Sequence, residues 1–253
     1  MLISVIVPAF NEEKQIDGTL DKIYTAFSEN NVENGNWEII VCDNNSTDRT
    51  AEVAFEKQAK VVFESINQIS RARNTGAEAA LGDWLLFIDA DSFPSVELIS
   101  EVISLIHSNS YIGCGATVTV EGGTLFNKLR MERLNPLFRF FNWCGGAFLL
   151  CETKAFRAIG GFSIELYAYE EIDFLIRLKR YGRKQGKKFI VLHQNPVITS
   201  GRKANYSLIS LGVLFMSNFA AIVLFILHYI LPKSMNIALG SRLLGYWYNN
   251  QYR

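Results

Sequence analysis

The feature that most constrains this chain is a pattern repeated through its N-terminal third. Short, largely apolar runs rich in β-branched and aromatic residues alternate with helical periodicity, and most of the runs stop at a polar cluster. Ile3-Ser4-Val5-Ile6-Val7 is closed by Pro8, with Asn11-Glu12-Glu13 shortly after. Glu38-Ile39-Ile40-Val41-Cys42 ends in Asp43-Asn44-Asn45-Ser46-Thr47-Asp48, Val61-Val62-Phe63 forms a third run, and Trp84-Leu85-Leu86-Phe87-Ile88 leads into Asp89 and Asp91. Between them, Ile16, Leu20, Ile23 and Phe27 have the spacing of one buried helical face. A second helix is expected to run to about Lys57, and an alanine-rich one to lie near residues 72–81. Continuous rather than alternating apolar runs belong to strands buried on both faces, which is the habit of a parallel sheet covered by helices. The expected class is therefore α/β, with a mostly parallel central sheet of Rossmann-like type. Ligands of such sheets bind outside the carboxyl ends of the strands, where this chain collects its polar residues.

With 253 residues, the chain is long enough for one large domain, and no Pro/Gly/Ser-rich linker divides it. The expected division is a domain over residues 1–204, followed by a C-terminal apolar helix and aromatic tail over residues 205–253. The 25 basic and 25 acidic residues balance, which excludes a general electrostatic footprint for nucleic acid. Cys42, Cys114, Cys144 and Cys151 lack metal-type spacing and read as reduced cysteines. The N-terminus carries no basic segment or long apolar run and reads as a strand, so the bulk of the protein is expected in the cytosol.

Several residues are candidates for chemistry. Residues two apart in extended chain point the same way, so Asp89 and Asp91 can aim at one Mg²⁺ or Mn²⁺, which prefer carboxylate oxygens. Against this stands a role for Asp91 or Ser92 in capping a helix that begins near Ser95. Asp43 can accept a hydrogen bond from a base or ribose, or form an Asx turn. Arg71 and Arg73, at the expected start of the alanine-rich helix, can neutralise a diphosphate or form a solvated basic turn. Trp143, Gly145 and Gly146, with Phe148 and Phe162, suit either an acceptor platform or ordinary core and turn roles. Arg202 can reach a diphosphate from a loop or contact a surface or lipid headgroup. His193 reads as structural.

Taken together, Val5-Ile6-Val7-Pro8-Ala9-Phe10-Asn11-Glu12-Glu13, Asp43-Asn44-Asn45-Ser46-Thr47-Asp48, Ala72-Arg73-Asn74-Thr75-Gly76, Phe87-Ile88-Asp89-Ala90-Asp91-Ser92, Gly160-Gly161-Phe162 and Glu170-Glu171-Ile172-Asp173 resemble, in order, the motifs of family-two glycosyltransferases of the GT-A fold. The resemblance spans roughly residues 3 to 180 and implies an inverting, non-processive glycosyltransferase that uses a nucleotide-sugar donor with Mn²⁺ or Mg²⁺. It places Pro8, Phe10 and Glu12 around the nucleoside and Asp43 on the base, usually uracil. Asp89 would meet the ribose or metal-bound water, and Asp91 would ligate the metal as the DxD motif does. The catalytic base falls on Glu171. The family's usual aspartate is a glutamate here, so Glu170 and Asp173 are rivals for that role. Asn44-Asn45 also stands where Asp-Gly is frequent. The alternative in another class is a catalytically silent, membrane-associated nucleotide-sugar-binding protein.

Residues 207–231 carry no charge and are long enough to cross a hydrocarbon core, which needs roughly 20 apolar residues. Arg202 and Lys203 precede this stretch, Lys233 follows it, and Tyr246-Trp247-Tyr248 suit a membrane boundary. Spanning, lying in the interface and packing on the domain all remain open. The expected setting is the cytoplasmic face of a membrane, with a glycan or lipid-linked acceptor, in polysaccharide or glycolipid biosynthesis.

Overall fold

A computed structural model describes residues 1–32, 35–122, 135–136, 140, 142–167 and 169–201. The apolar tail over residues 205–253, including the stretch 207–231, and Arg202 lie outside the described residues. Among the described residues no helix is long and apolar enough to cross a membrane.

The N-terminal runs fold as read. They give β1 (Ile3–Ala9), α1 (Ile16–Glu29), β2 (Trp37–Asp43), α2 (Thr50–Glu56), β3 (Lys60–Phe63), α3 (Ile69–Glu78) and β4 (Trp84–Ile88). Ile16, Leu20, Ile23 and Phe27 of α1 are all fully buried. The continuous apolar runs have the expected cause. Ile3, Val5 and Val7 of β1 face a core layer that includes α1, whereas Ile6 faces a second layer with Leu85 and Phe87 of β4. Successive side chains leave a strand on opposite faces, so a strand covered on both sides has to be apolar almost throughout.

Beyond β4 come β5 (Ser92–Phe93), α4 (Val96–His107), β6 (Tyr111–Glu121), β7 (Phe148–Glu152), α5 (Thr153–Ile159), α6 (Glu170–Lys184) and β8 (Lys188–Ser200). The eight strands form one sheet in the order β3-β2-β1-β4-β7-β6-β8-β5. From β3 to β4 every pairing is parallel. The pairs β4–β7, β6–β7 and β5–β8 are antiparallel, and β6–β8 is parallel. The expectation of a mostly parallel sheet thus needs correction: it holds for the N-terminal half, and the sheet as a whole is mixed. The runs that form β6 to β8 carry apolar residues for burial, but strand direction follows from how the chain returns between them, which local composition does not encode.

The register of β6 against β8 passes from Ala116↔Leu192 to Val118↔Val197, so His193, Gln194, Asn195 and Pro196 bulge out opposite Thr117. Pro196 has no N–H to give a ladder and falls in that bulge. All four cysteines are free and buried. Burial pushes the Cys42 and Cys144 thiols up to about 12, in keeping with the reduced cysteines read from the sequence.

Candidate active site

The loops that follow β1 and β2 are laced together. In the parallel register Pro8 lies opposite Cys42, and Ala9 opposite Asp43, so both strands deliver their polar ends to one edge. Asn11 adopts φ 53° and Asn45 φ 64°, a left-handed conformation that asparagine tolerates better than most residues. The Asn11 N–H donates to Ser46 Oγ at 3.0 Å, and the Thr47 N–H returns to Asn11 Oδ1 at 2.8 Å. The Glu12 N–H donates to Thr50 Oγ1 at 2.8 Å, and the Glu12 carbonyl accepts the N–H groups of Gln15 and Ile16, which starts α1. Pro8 and Glu12 are buried and Phe10 is half-buried in this seam. Asp43 is buried and accepts from the Ser46 N–H at 3.2 Å, so the Asx-type turn is present; this bond uses only its Oδ1.

A second set of pins holds α3. Asn44 donates through Nδ2 to the Ile66 carbonyl at 2.7 Å and accepts the Gln68 N–H at 2.9 Å. Gln68 Nε2 reaches the carbonyls of Ile164 and Leu166 at 2.9 and 3.0 Å. Helix α3 starts at Ile69, earlier than the sequence suggested, so Arg73 and Asn74 lie within the helix and not at its N-terminus. Gly76 has a packing reason: a Cβ there would meet Ile6 Cγ2 at 2.5 Å, so only glycine lets α3 lie this close to β1.

Arg73 is the centre of the site. Its side chain is only 2% exposed, and it gathers three carboxylates from two other elements. Nη1 donates to Glu170 Oε1 at 3.0 Å and Glu171 Oε1 at 3.2 Å, and Nη2 donates to Asp89 Oδ1 at 3.2 Å. The guanidinium carbon lies 5.2 Å from the centre of the Phe162 ring. Burial alone would lower the pKa of Arg73, but Glu171, Asp89 and Glu170 together outweigh it and hold the guanidinium charged. One cation cannot balance three buried or half-buried anions at low cost. The cluster relieves this at Glu170, whose carboxyl is pushed well above its ordinary range by burial first and by Glu171 second. Glu170 therefore holds a proton more tightly than an ordinary glutamate does.

The three rivals for the base separate by exposure and partners. The Glu170 side chain is 5% exposed and that of Asp173 6%, against 20% for Glu171. Asp173 is engaged with Arg177, which also donates to the carbonyls of Ile159 and Gly161 and so braces the Gly160–Gly161 turn. Helix α6 is entered through Tyr169 at φ 61°, an uncommon conformation for an aromatic residue.

Asp89 and Asp91 follow β4 directly. The Asp89 carbonyl accepts the Ser92 N–H at 2.9 Å, and the Asp91 carbonyl accepts the Ser200 N–H at 3.0 Å, which ties this turn to the end of β8. The Asp89 side chain is 31% exposed, whereas Asp91 is buried. The cap of α4 is Ser95, whose Oγ accepts the Leu98 N–H at 3.1 Å, so neither Asp91 nor Ser92 serves that purpose. Two carboxylates two residues apart suit a hard divalent cation whose other ligands are substrate oxygens and water. Among the described residues no group of three or more His, Cys, Asp or Glu forms a closed metal site.

Gly145 is exposed, Trp143 is half-buried, and Gly146 is buried against the cluster: a Cβ on it would overlap Arg73 Nη2 and lie 2.7 Å from Glu171 Oε1. His193 is exposed on the bulge of β8. The structure thus brings Asp89, Arg73, Gly146, Glu170 and Glu171 together, with Asp91 beside them in sequence; Pro8, Phe10, Glu12 and Asp43 line the neighbouring strand ends. Asn44, Gln68 and Asn74 escaped the sequence reading as structural pins. The local signal for Asn44 and Asn74 was their place inside the motifs; Gln68 lies outside them.

Residues 4–164 match the model of a family described as Glycosyl transferase family 2. An uncharacterized glycosyltransferase of Haemophilus influenzae is 26% identical over 197 residues, 70% of this chain and 62% of that protein. A dolichol-phosphate mannosyltransferase of Pyrococcus furiosus is 33% identical over 132 residues, 50% of this chain and 36% of that protein. The chain spans less than two-thirds of the length of either relative. Among solved structures, TarS 1-349 of S. aureus in complex with UDP-GlcNAc superposes with TM-score 0.65 at 18% identity, covering 99% of this chain and 74% of that one. Glucosyl-3-phosphoglycerate synthase of Mycobacterium tuberculosis, in complex with Mn²⁺ and UDP-glucose, gives TM-score 0.59 at 20% identity, over 88% of this chain and 78% of that one. At such identities the likeness is one of fold.

Proposed function

Since the chain belongs to glycosyl transferase family 2, we propose that it transfers a sugar from a nucleoside-diphosphate donor, a UDP-sugar, to an acceptor hydroxyl with inversion. The observation that carries this reading is the junction at Arg73, where the carboxylate ending β4 and the carboxylates opening α6 meet on one guanidinium.

In this reading Pro8, Phe10, Glu12 and Asp43 take the nucleoside between the ends of β1 and β2. Glu171, the most exposed carboxylate of the α6 start, accepts the proton of the acceptor hydroxyl. The freed oxygen attacks the anomeric carbon from the face opposite the diphosphate, and the bond from that carbon to the diphosphate oxygen breaks. The electron pair leaves with the nucleoside diphosphate, and the anomeric configuration inverts. Mn²⁺ or Mg²⁺, held by Asp91 with help from Asp89, would offset the charge on the departing diphosphate. The buried surroundings of Arg73 and Glu170 keep water from the inner side of the cluster.

The acceptor is a glycan or a lipid-linked species, a class represented among the similar proteins by a dolichol-phosphate mannosyltransferase. Membrane contact through residues 205–253 on the cytoplasmic side belongs to the same proposal and rests on the sequence of that tail. The test is Glu171→Gln. It should keep Mn²⁺-dependent binding of the donor nucleotide while nucleotide release from UDP-sugar falls by about 10²-fold or more. Undiminished release would take the base away from Glu171.

A further inference from the structure

From the sequence, Arg73 suits either a diphosphate contact or a solvated basic turn, and its surroundings give it a different task. The side chain is nearly closed to solvent at 2% exposure. Nη1 and Nη2 are each taken up by carboxylates, Phe162 lies 5.2 Å from the guanidinium carbon, and Gly146 closes over Nη2. Nε is buried with no hydrogen-bond partner. Both Nη atoms are thus engaged by carboxylates, and the side chain as a whole is closed to solvent. Its partners lie 16, 97 and 98 positions away in sequence, on the end of β4 and the start of α6.

We propose that Arg73 is a positioning residue: one guanidinium sets the spacing between Asp89, at the donor end of the site, and Glu171, at the acceptor end, without itself contacting the diphosphate. Its catalytic consequence rests on the transferase reading above; the geometric coupling does not. Arginine suits the task because its planar fork presents separate nitrogens in fixed directions, whereas a lysine offers one compact ammonium on a flexible stem. Gly146 belongs to the same device. Any side chain there would displace Nη2 and crowd Glu171 Oε1, so the glycine preserves the place of the fork. Glu170 supplies the inner anchor of Nη1 and leaves the more exposed Glu171 to meet substrate. Asn74 next to it, hydrogen-bonded to Phe162 in both directions, holds the helix that carries Arg73 against the ring beneath it.

The test uses the whole chain and three readouts on Arg73→Lys, with Gly146→Ala as a second variant that displaces the fork but keeps its charge. Calorimetry with UDP and Mn²⁺ should give a dissociation constant within about threefold of wild type, while nucleotide release from UDP-sugar at saturation falls at least about tenfold, because spacing and not binding is lost. Separately, the melting-temperature shifts of Arg73→Lys and Glu171→Gln should be non-additive in a double-mutant cycle without ligand, since the two side chains touch. Weaker UDP binding that accounts for the whole loss, with saturated release unchanged in both variants, would make Arg73 a diphosphate ligand and overturn the proposal. Additive melting shifts would overturn it as well. A wild-type protein that neither binds nor releases any nucleotide, with the cycle still non-additive, would remove the transferase reading and leave the coupling standing.

Discussion

Asn74 and Phe162 bind each other in both directions: the Asn74 amide donates to the Phe162 carbonyl at 2.9 Å, and the Phe162 N–H donates to Asn74 Oδ1 at 2.9 Å. This pairing imitates a strand ladder with a side chain. It joins the middle of α3 to the left-handed Gly160–Gly161 turn, at φ 80° and 66°, where the chain turns back toward α6. The Phe162 ring beneath Arg73 is thereby fixed relative to the helix that carries Arg73.

Asn74→Ala removes both bonds and leaves the Phe162 N–H and carbonyl without them. Unpaired, partly buried groups of this kind cost about 1–3 kcal/mol. A urea titration should show that loss as a lower midpoint at unchanged slope. An Asn74→Ala protein as stable as wild type would show that the pairing contributes nothing net.

Gly76→Ala sets two effects against each other. Alanine is favoured over glycine in a helix by about 1 kcal/mol. Here, however, the added methyl would meet Ile6 Cγ2 at 2.5 Å, and Ile6 is fully buried between α3 and the sheet. Overpacking of that kind costs about 1–3 kcal/mol, so the variant should be net destabilised, with a lower melting temperature. A rise would mean that α3 can move away from β1 freely.

Glu170 gives a pH dependence whose sign follows from its burial. Its carboxyl is raised in the folded protein above the 4.5 of an ordinary glutamate, to about 8, by burial and then by Glu171. Between those values the folded state keeps a proton that the unfolded chain has released. The contribution to stability is therefore fully present below pH 4.5 and is lost as pH rises through about 8. Glu170→Gln cannot release that proton. Its melting temperature should fall less than that of wild type between mildly acidic and mildly alkaline pH, and the two curves should diverge on the alkaline side. Parallel curves would place the proton elsewhere.

How much of this was legible in the sequence depends on the range of the interaction that fixes each part. The runs at residues 3–7, 38–42, 61–63 and 84–88 became β1 to β4 because burial on both faces is written in each run locally. Ser92–Phe93 was invisible as a strand because a two-residue bridge to β8 has no periodicity to detect. The long β6, with Gly113 and Gly115 inside it, lacks a clean strand signature; its glycines make room for Leu150 and Cys144, which only the fold brings near. Asp89, Asp91 and Glu171 could be named from motif and position. Arg73 could be named but its task could not, since the three carboxylates that define it come from remote positions. Glu170, Glu171 and Asp173 differ in burial and partners, and those differences follow from the packing of α6, which the motif does not encode.

In the proposed function, the joined ends of β1, β2 and β4 hold a nucleoside diphosphate sugar with a divalent metal at Asp91. It is tested most directly by a panel of nucleotide sugars, scored for Mn²⁺-dependent thermal stabilisation and nucleotide release in wild type and Asp91→Ala. A UDP-sugar should stabilise wild type, chelator should abolish the effect, and Asp91→Ala should lose its metal dependence. Folded wild-type protein that responds to no donor, or an Asp91→Ala variant that keeps the same metal dependence, would contradict it.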